Sequence, residues 1–124
     1  MAFILVVDDE ANQRLVLEQA LLTVSDTWQI QCAGSIQEAL DILETSVPDL
    51  LITDYHIAAG TGVELVQRIR ALRYNMPVIL ITADDAPEIA HMANDLGIDH
   101  HLTKPVPLTL LRQVASQVLY RAAS

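Results

Sequence analysis

Cysteine, lysine and positive charge in general are scarce in this 124-residue chain, and each scarcity removes a class of function. The single cysteine, Cys32, has no partner for a disulfide or for a multi-cysteine metal centre. Within Ile30-Gln31-Cys32-Ala33 it is expected to serve as a small buried apolar residue. Sixteen acidic against seven basic residues leave a net charge of −9. That balance argues against direct nucleic-acid binding, because a phosphate backbone requires a basic footprint. Lys104 is the only lysine, all other basic residues being arginines. No apolar run approaches the ~18 residues of a membrane-span candidate. The start, Met1-Ala2-Phe3, lacks the basic segment of a secretory signal. A cytoplasmic protein without a membrane partner is expected. Low-complexity stretches and repeats of fixed period are also missing.

What is present is apolar and regularly punctuated. Hydrophobic residues make up 52% of the chain and the mean hydropathy is +0.32, values that strands buried on both faces would explain. Phe3 to Val7 reads as a strand, and Leu17, Ala20, Leu21 and Val24 then fall at helical spacing. A shorter strand spans Trp28 to Ala33. Ser35-Ile36-Gln37-Glu38 has capping-box spacing, opening a helix with Ile36, Ala39, Leu40 and Leu43 on one face. Pro48-Asp49 ends that helix before a third strand, Leu50 to Thr53. Tyr55 to Gly62 reads as a loop, and Thr61-Gly62-Val63-Glu64 is a second capping box. Leu65, Ile69 and Leu72 mark the helix face that follows. Val78 to Ile81, after Met76-Pro77, is the most apolar strand and belongs near the sheet centre. Asp85 is the expected N-cap of the next helix, with Pro87 early in it and Gly97 past its end. His100 to Thr103 is short and polar, which suits an edge strand. Pro107 opens the last helix, with Leu111, Val114, Ala115 and Val118 at helical spacing. Five strand-helix units in one domain, residues 1–124, predict an α/β doubly wound parallel sheet with right-handed crossovers.

Polar residues stand where the strands stop. Asp8 and Asp9 follow the first strand, Asp54 the third, Thr82 the fourth and Lys104 the fifth. In a parallel sheet these ends converge on the carboxyl edge, where open α/β sheets hold their ligands. Three carboxylates together form a hard, oxygen-rich site suited to Mg²⁺ or Mn²⁺. They would raise one another's pKa unless a cation, a metal or Lys104, compensates. A carboxylate can attack phosphorus to give an acyl phosphate. The metal, Lys104 and the Thr82 hydroxyl would then stabilise the transferring oxygens.

These residues carry a resemblance that covers nearly the whole chain. Val6-Val7-Asp8-Asp9-Glu10, Ile52-Thr53-Asp54, Gly62 eight residues later, Ile81-Thr82-Ala83 and Lys104-Pro105 together resemble the response-regulator receiver domain of two-component signalling. The resemblance implies a flavodoxin-like fold, five strands in the order 2-1-3-4-5 with five helices. It implies that Asp54 accepts a phosphoryl group from a histidine kinase or phosphotransfer protein. Mg²⁺ would be bound by Asp9, Asp54 and the His56 carbonyl, with Asp8 acting directly or through water. Thr82 would move toward the phosphoryl group and Lys104 would bridge it to an acidic residue. Such a domain is a signalling module with slow self-dephosphorylation, not a turnover enzyme. Its contact surface, the fifth strand with the last two helices, would meet an output partner, or a second copy in a homodimer.

The chain departs from the family pattern at two places. His101 stands three residues before Lys104, where the family has a tyrosine or phenylalanine rotamer switch. It is expected either as a plain half-buried or exposed edge-strand residue or as an inward-packed switch. Ile57-Ala58 replaces the frequent Met-Pro, which should loosen that loop. His56 overlooks the acceptor as a water- or partner-controlling side chain, or else lends only its carbonyl. Asp84 is either a brake or accelerator of dephosphorylation, or a helix-capping acid. A phosphatase of the aspartyl-nucleophile class is disfavoured because its nucleophile lies in an Asp-x-Asp at the first strand. A receiver-like module that is never phosphorylated is the other alternative, although such modules usually lack a site residue and this chain lacks none.

Overall fold

The computed structural model describes residues 2–84 and 86–123. The chain alternates strands and helices: β1 (Phe3–Val7), α1 (Ala11–Leu22), β2 (Gln29–Ala33), α2 (Ile36–Thr45), β3 (Leu50–Asp54), β4 (His56–Ile57), β5 (Gly60–Thr61), α3 (Gly62–Ala71), β6 (Val78–Thr82), α4 (Pro87–Asp95), β7 (His100–Thr103) and α5 (Leu108–Ala123). Five of the strands form one parallel sheet in the order β2-β1-β3-β6-β7. Without the small β4–β5 pair this is the expected order 2-1-3-4-5, and with five helices it is the flavodoxin-like fold. Among the described residues no helix is long and apolar enough to cross a membrane.

The sequence explains the layering. Every residue of β3 and β6 is buried, as is all of β1 after Phe3, so these strands need apolar side chains on both faces. Leu5, Val7, Leu51 and Val78 meet the stripes of α2 and α3 on one face. Ile4, Val6, Ile52, Ile79 and Ile81 meet Leu17, Leu21, Leu111, Val114 and Val118 of α1 and α5 on the other. The remaining strands, β2 and β7, form the two edges and are only partly buried. Cys32, on β2, is half-buried for that reason and not fully enclosed as expected.

Helix ends largely follow the capping expectations. The Ser35 hydroxyl accepts from the Glu38 amide at 3.2 Å, and Glu38 Oε2 accepts from the Gly34 amide at 2.9 Å. Thr61 likewise caps α3, accepting from the Glu64 amide at 3.1 Å. Gly97, at φ +68°, takes the left-handed turn that ends α4. The N-cap expected at Asp85 lies outside the described residues. Val24 falls beyond the end of α1 and is exposed. Thr23 stops the helix before it, its hydroxyl donating to the Ala20 carbonyl at 2.6 Å.

The segment Tyr55 to Gly62 is more ordered than a loop. Its β4 and β5 pair antiparallel, His56 against Thr61 and Ile57 against Gly60. Ile57 is buried in the core, and Ala58 bridges to Ser35. The tight connection places Ala59 at φ 66°, a left-handed conformation that its Cβ disfavours.

Candidate functional site

Asp54 is the last residue of the central strand and is buried, so its carboxylate emerges from the sheet with little freedom. Lys104 Nζ donates to its Oδ2 at 3.0 Å, and the Tyr55 amide donates to its Oδ1 at 2.9 Å. Lys104 arrives from beyond the edge strand β7, where its own amide donates to the Thr82 carbonyl at 2.7 Å. The Lys104–Asp54 pair is a salt bridge. It joins residues fifty positions apart, as expected of side chains meeting at the carboxyl edge.

Gly62 fixes the main chain beneath the acceptor. Its amide donates to the Tyr55 carbonyl at 2.6 Å. A Cβ at this position would run into the Asp54 carbonyl oxygen and would lie 2.9 Å from Thr53 Oγ1. The first turn of α3 can therefore press against Asp54 only because residue 62 has no side chain. The Thr53 hydroxyl completes the support, donating to the Asp54 carbonyl at 2.9 Å.

Asp8 and Asp9 occupy different environments. Asp8 is 2% exposed, and its Oδ1 accepts from the Glu10 amide at 3.0 Å. Burial pushes the Asp8 carboxyl above the ordinary carboxylate value; the Glu10 amide opposes this, the Asp54 and Asp9 charges add to it, and Lys104 lowers it. Asp9 is exposed at the rim. Thr82 is buried, and its hydroxyl accepts from the Asp84 amide at 3.0 Å. Asp84 in turn accepts from the Ala86 amide at 3.0 Å, closing a turn ahead of α4 whose own N-cap, Ala86, carries no side-chain cap, so the helix-capping expectation for Asp84 is not met.

The structure thus brings Asp8, Asp54 and Lys104 into electrostatic contact, with Thr82 at the adjoining strand end and Asp9 at the rim. The two histidines stand apart. His56 is exposed on β4, its ring edge-on to Tyr55 at a centroid distance of 4.9 Å. His101, on β7 beside Leu80, is half-buried. Its Nε2 is enclosed and lacks a hydrogen-bond partner, a cost that a plain edge residue would avoid by turning outward.

Among the described residues no three histidine, cysteine, aspartate or glutamate side chains gather closely enough to hold a metal between them. The donors nevertheless fit Mg²⁺, which keeps several waters and is commonly bound through only one or two carboxylates. Asp8, buried beside Asp54 and Asp9, adds a carboxylate whose charge a cation there would compensate.

Two arginines with no motif signature also hold backbone carbonyls, one beside this site and one away from it. Arg14 Nη1 donates to the Asp8 carbonyl at 2.7 Å. Its one sequence signal is isolation, since no other basic residue precedes Arg68. At the opposite edge of the sheet Arg70 donates to the carbonyls of Leu96, Tyr74 and Met76 at 2.9–3.1 Å. Burial lowers its pKa, and Asp99 partly offsets that.

Comparison with known proteins gives the family and the fold. Residues 4–116 match the family model described as the response regulator receiver domain. The chain is 34% identical over 110 residues to the sensor histidine kinase RcsC of Salmonella typhimurium, covering 89% of this chain and 11% of that protein. It is 36% identical over 116 residues to the response regulator protein PilR of Pseudomonas aeruginosa, covering 93% of this chain and 25% of that one. The chain therefore spans a quarter or less of these two relatives. In fold it resembles a CheY-like receiver domain protein of Methanospirillum hungatei, with a TM-score of 0.90 and 24% identity over 99% of this chain and 97% of that one.

Proposed function

Because this chain belongs to the response regulator receiver domain family, we propose that Asp54 accepts a phosphoryl group from the phosphohistidine of a histidine kinase or phosphotransfer protein. The acyl phosphate then switches a partner-binding surface. The observation that carries this reading is the Asp54–Lys104 pair, 3.0 Å apart at the carboxyl edge. An Asp54 carboxylate oxygen attacks phosphorus, and the donor's P–N bond breaks with its electron pair going to the imidazole. Lys104 already neutralises Oδ2 and can follow the charge onto the incoming phosphoryl oxygens. Thr82 accepts the Asp84 amide through its oxygen, which leaves its hydroxyl proton to donate to the phosphoryl group.

Mg²⁺ would be held by Asp8, Asp9, Asp54 and the His56 carbonyl, with Asp8 acting directly or through water. Bound there, it would supply positive charge against the phosphoryl oxygens. His101 takes the place of the family's aromatic switch. Its enclosed, unpartnered Nε2 supports an inward-packed role between Thr82 and the α4–β7–α5 face. That face would meet the output partner or a second copy of the chain. The domain acts in the cytoplasm as a signalling module that dephosphorylates itself slowly, without turnover of a separate substrate.

Intact-mass spectrometry after incubation with a small-molecule phosphodonor tests the reading, with Mg²⁺ or chelator, on wild type and Asp54→Asn. The expected result is a single phosphoryl increment that requires Mg²⁺ and vanishes in the variant. An increment that persists in Asp54→Asn would move the acceptor elsewhere. No increment in a wild type that binds Mg²⁺ would favour a phosphorylation-independent interaction module.

A further inference from the structure

The Asp8–Asp9 turn is held by a residue outside the receiver motif. Arg14 Nη1 donates to the Asp8 carbonyl at 2.7 Å, a short, charge-assisted bond. The Asp8 carbonyl and the Asp9 amide belong to one rigid peptide plane, so fixing that oxygen also fixes the nitrogen from which Asp9 departs. Asp8 has independent anchors: its amide donates to the Ala33 carbonyl at 3.1 Å, and its Oδ1 accepts from the Glu10 amide at 3.0 Å. Asp9 has none of its own. It is exposed, and no hydrogen bond holds its carboxylate among the described residues.

The guanidinium is itself confined. The Arg14 amide donates to the Glu10 carbonyl at 3.0 Å, placing the arginine at the start of α1. Across from it, a Cβ on Gly34 would lie 3.1 Å from Arg14 Nη1. The bare glycine leaves the room that the guanidinium uses.

We propose that Arg14 is a positioning residue for the Mg²⁺ site, orienting the Asp8–Asp9 peptide so that the Asp9 carboxylate is delivered to the cation. This rests on the Mg²⁺ reading given above. The sign of its effect separates positioning from simple charge. As a nearby positive charge, Arg14 repels a cation, and its removal would tighten Mg²⁺ binding. As the support of the Asp9 main chain, its removal loosens a ligand and weakens binding. Outer supports of metal ligands are typically worth about 10- to 100-fold in affinity.

The test is titration of the full chain with Mg²⁺ alone, followed by calorimetry and by amide chemical shifts, with metal-free thermal midpoints as the fold control. Arg14→Met is expected to bind Mg²⁺ at least about tenfold more weakly. Arg14→Lys, which keeps a cationic donor on a similar stem, should recover part of the loss. Gly34→Ala, which crowds the guanidinium and leaves the charge in place, should weaken binding in the same direction and serves if Arg14→Met does not fold. Unchanged or tighter binding in a folded Arg14→Met overturns the proposal, as does unchanged binding in Gly34→Ala when Arg14→Met does not fold. A wild type that binds no Mg²⁺, or binds it undiminished after Asp9→Asn, refutes the Mg²⁺ reading itself and the proposal with it.

Discussion

Replacing Asp8 by asparagine should make the metal-free protein more stable at neutral pH. Asp8 is 2% exposed, yet it stands beside Asp54 and Asp9 with its carboxyl pKa raised above 3.8. Asp54 and Lys104 are paired at 3.0 Å, so their opposite effects on Asp8 largely cancel. What remains is the cost of burying the charge, which the Glu10 amide offsets only in part, plus repulsion from Asp9. Asparagine keeps an oxygen for the Glu10 amide and removes the charge. Relief of such a functional-site conflict is worth about 0.5–2 kcal/mol. The pH dependence follows from the direction of the shift. Below 3.8 the carboxyl is neutral in both folded and unfolded chains, and its environment costs nothing. As pH rises through the folded pKa the folded protein must ionise a buried group, and stability is lost. Urea denaturation in chelator from pH 3.5 to 8 should therefore show a gain for Asp8→Asn that is largest at neutral pH and fades toward the acid end. Saturating Mg²⁺ should reverse the order, because wild type gains binding free energy that the variant forfeits in part. Destabilisation of the metal-free variant at pH 7, or a gain independent of pH, would refute the reasoning.

Three further substitutions probe the surrounding frame. Gly62→Ala places a methyl against the Asp54 carbonyl, which belongs to backbone and cannot swing away. A loss of about 1–3 kcal/mol is expected in urea unfolding, together with slower phosphorylation of Asp54. Ala59→Gly relieves a left-handed residue at φ 66° and should raise stability by about 0.5–1 kcal/mol, the strain relieved less the added chain entropy; a drop in thermal midpoint would contradict this. Arg70→Met strips the carbonyls of Leu96, Tyr74 and Met76 of a charged donor. It should cost about 2–3 kcal/mol of unfolding free energy in urea denaturation while leaving the extent of phosphorylation at saturating donor unchanged.

The parts legible in the sequence were those encoded locally. Phe3–Val7, Leu50–Asp54 and Val78–Thr82 announce themselves because central parallel strands need apolar side chains on both faces. The polar residues that end them fall at the carboxyl edge by topology. The hairpin at His56–Thr61 was hidden because its turn uses Ala59, a residue with no preference for positive φ, in place of glycine or asparagine. Val24 continued a helical spacing that Thr23 had already terminated. Arg14 and Arg70 left no pattern because each reaches backbone carbonyls through a long side chain, and a carbonyl has no sequence identity. The enclosed Nε2 of His101 was likewise unreadable, since spacing cannot tell an inward ring from an outward one.

The placement of the two edge strands bears on how a chain this apolar avoids its own copies. Its greasiest segments, β1, β3 and β6, are all interior, with both hydrogen-bonding sides already paired. Lateral growth of the sheet could begin only at β2 or β7. The first exposes Gln29 and Gln31, and the second is four residues long and begins with two histidines. A short, polar rim offers a passing strand little apolar surface with which to offset the entropy lost on pairing. The composition that builds the core and the composition that guards against cross-β association are thus spatially separated, with protection assigned to fewer than ten residues at the margins.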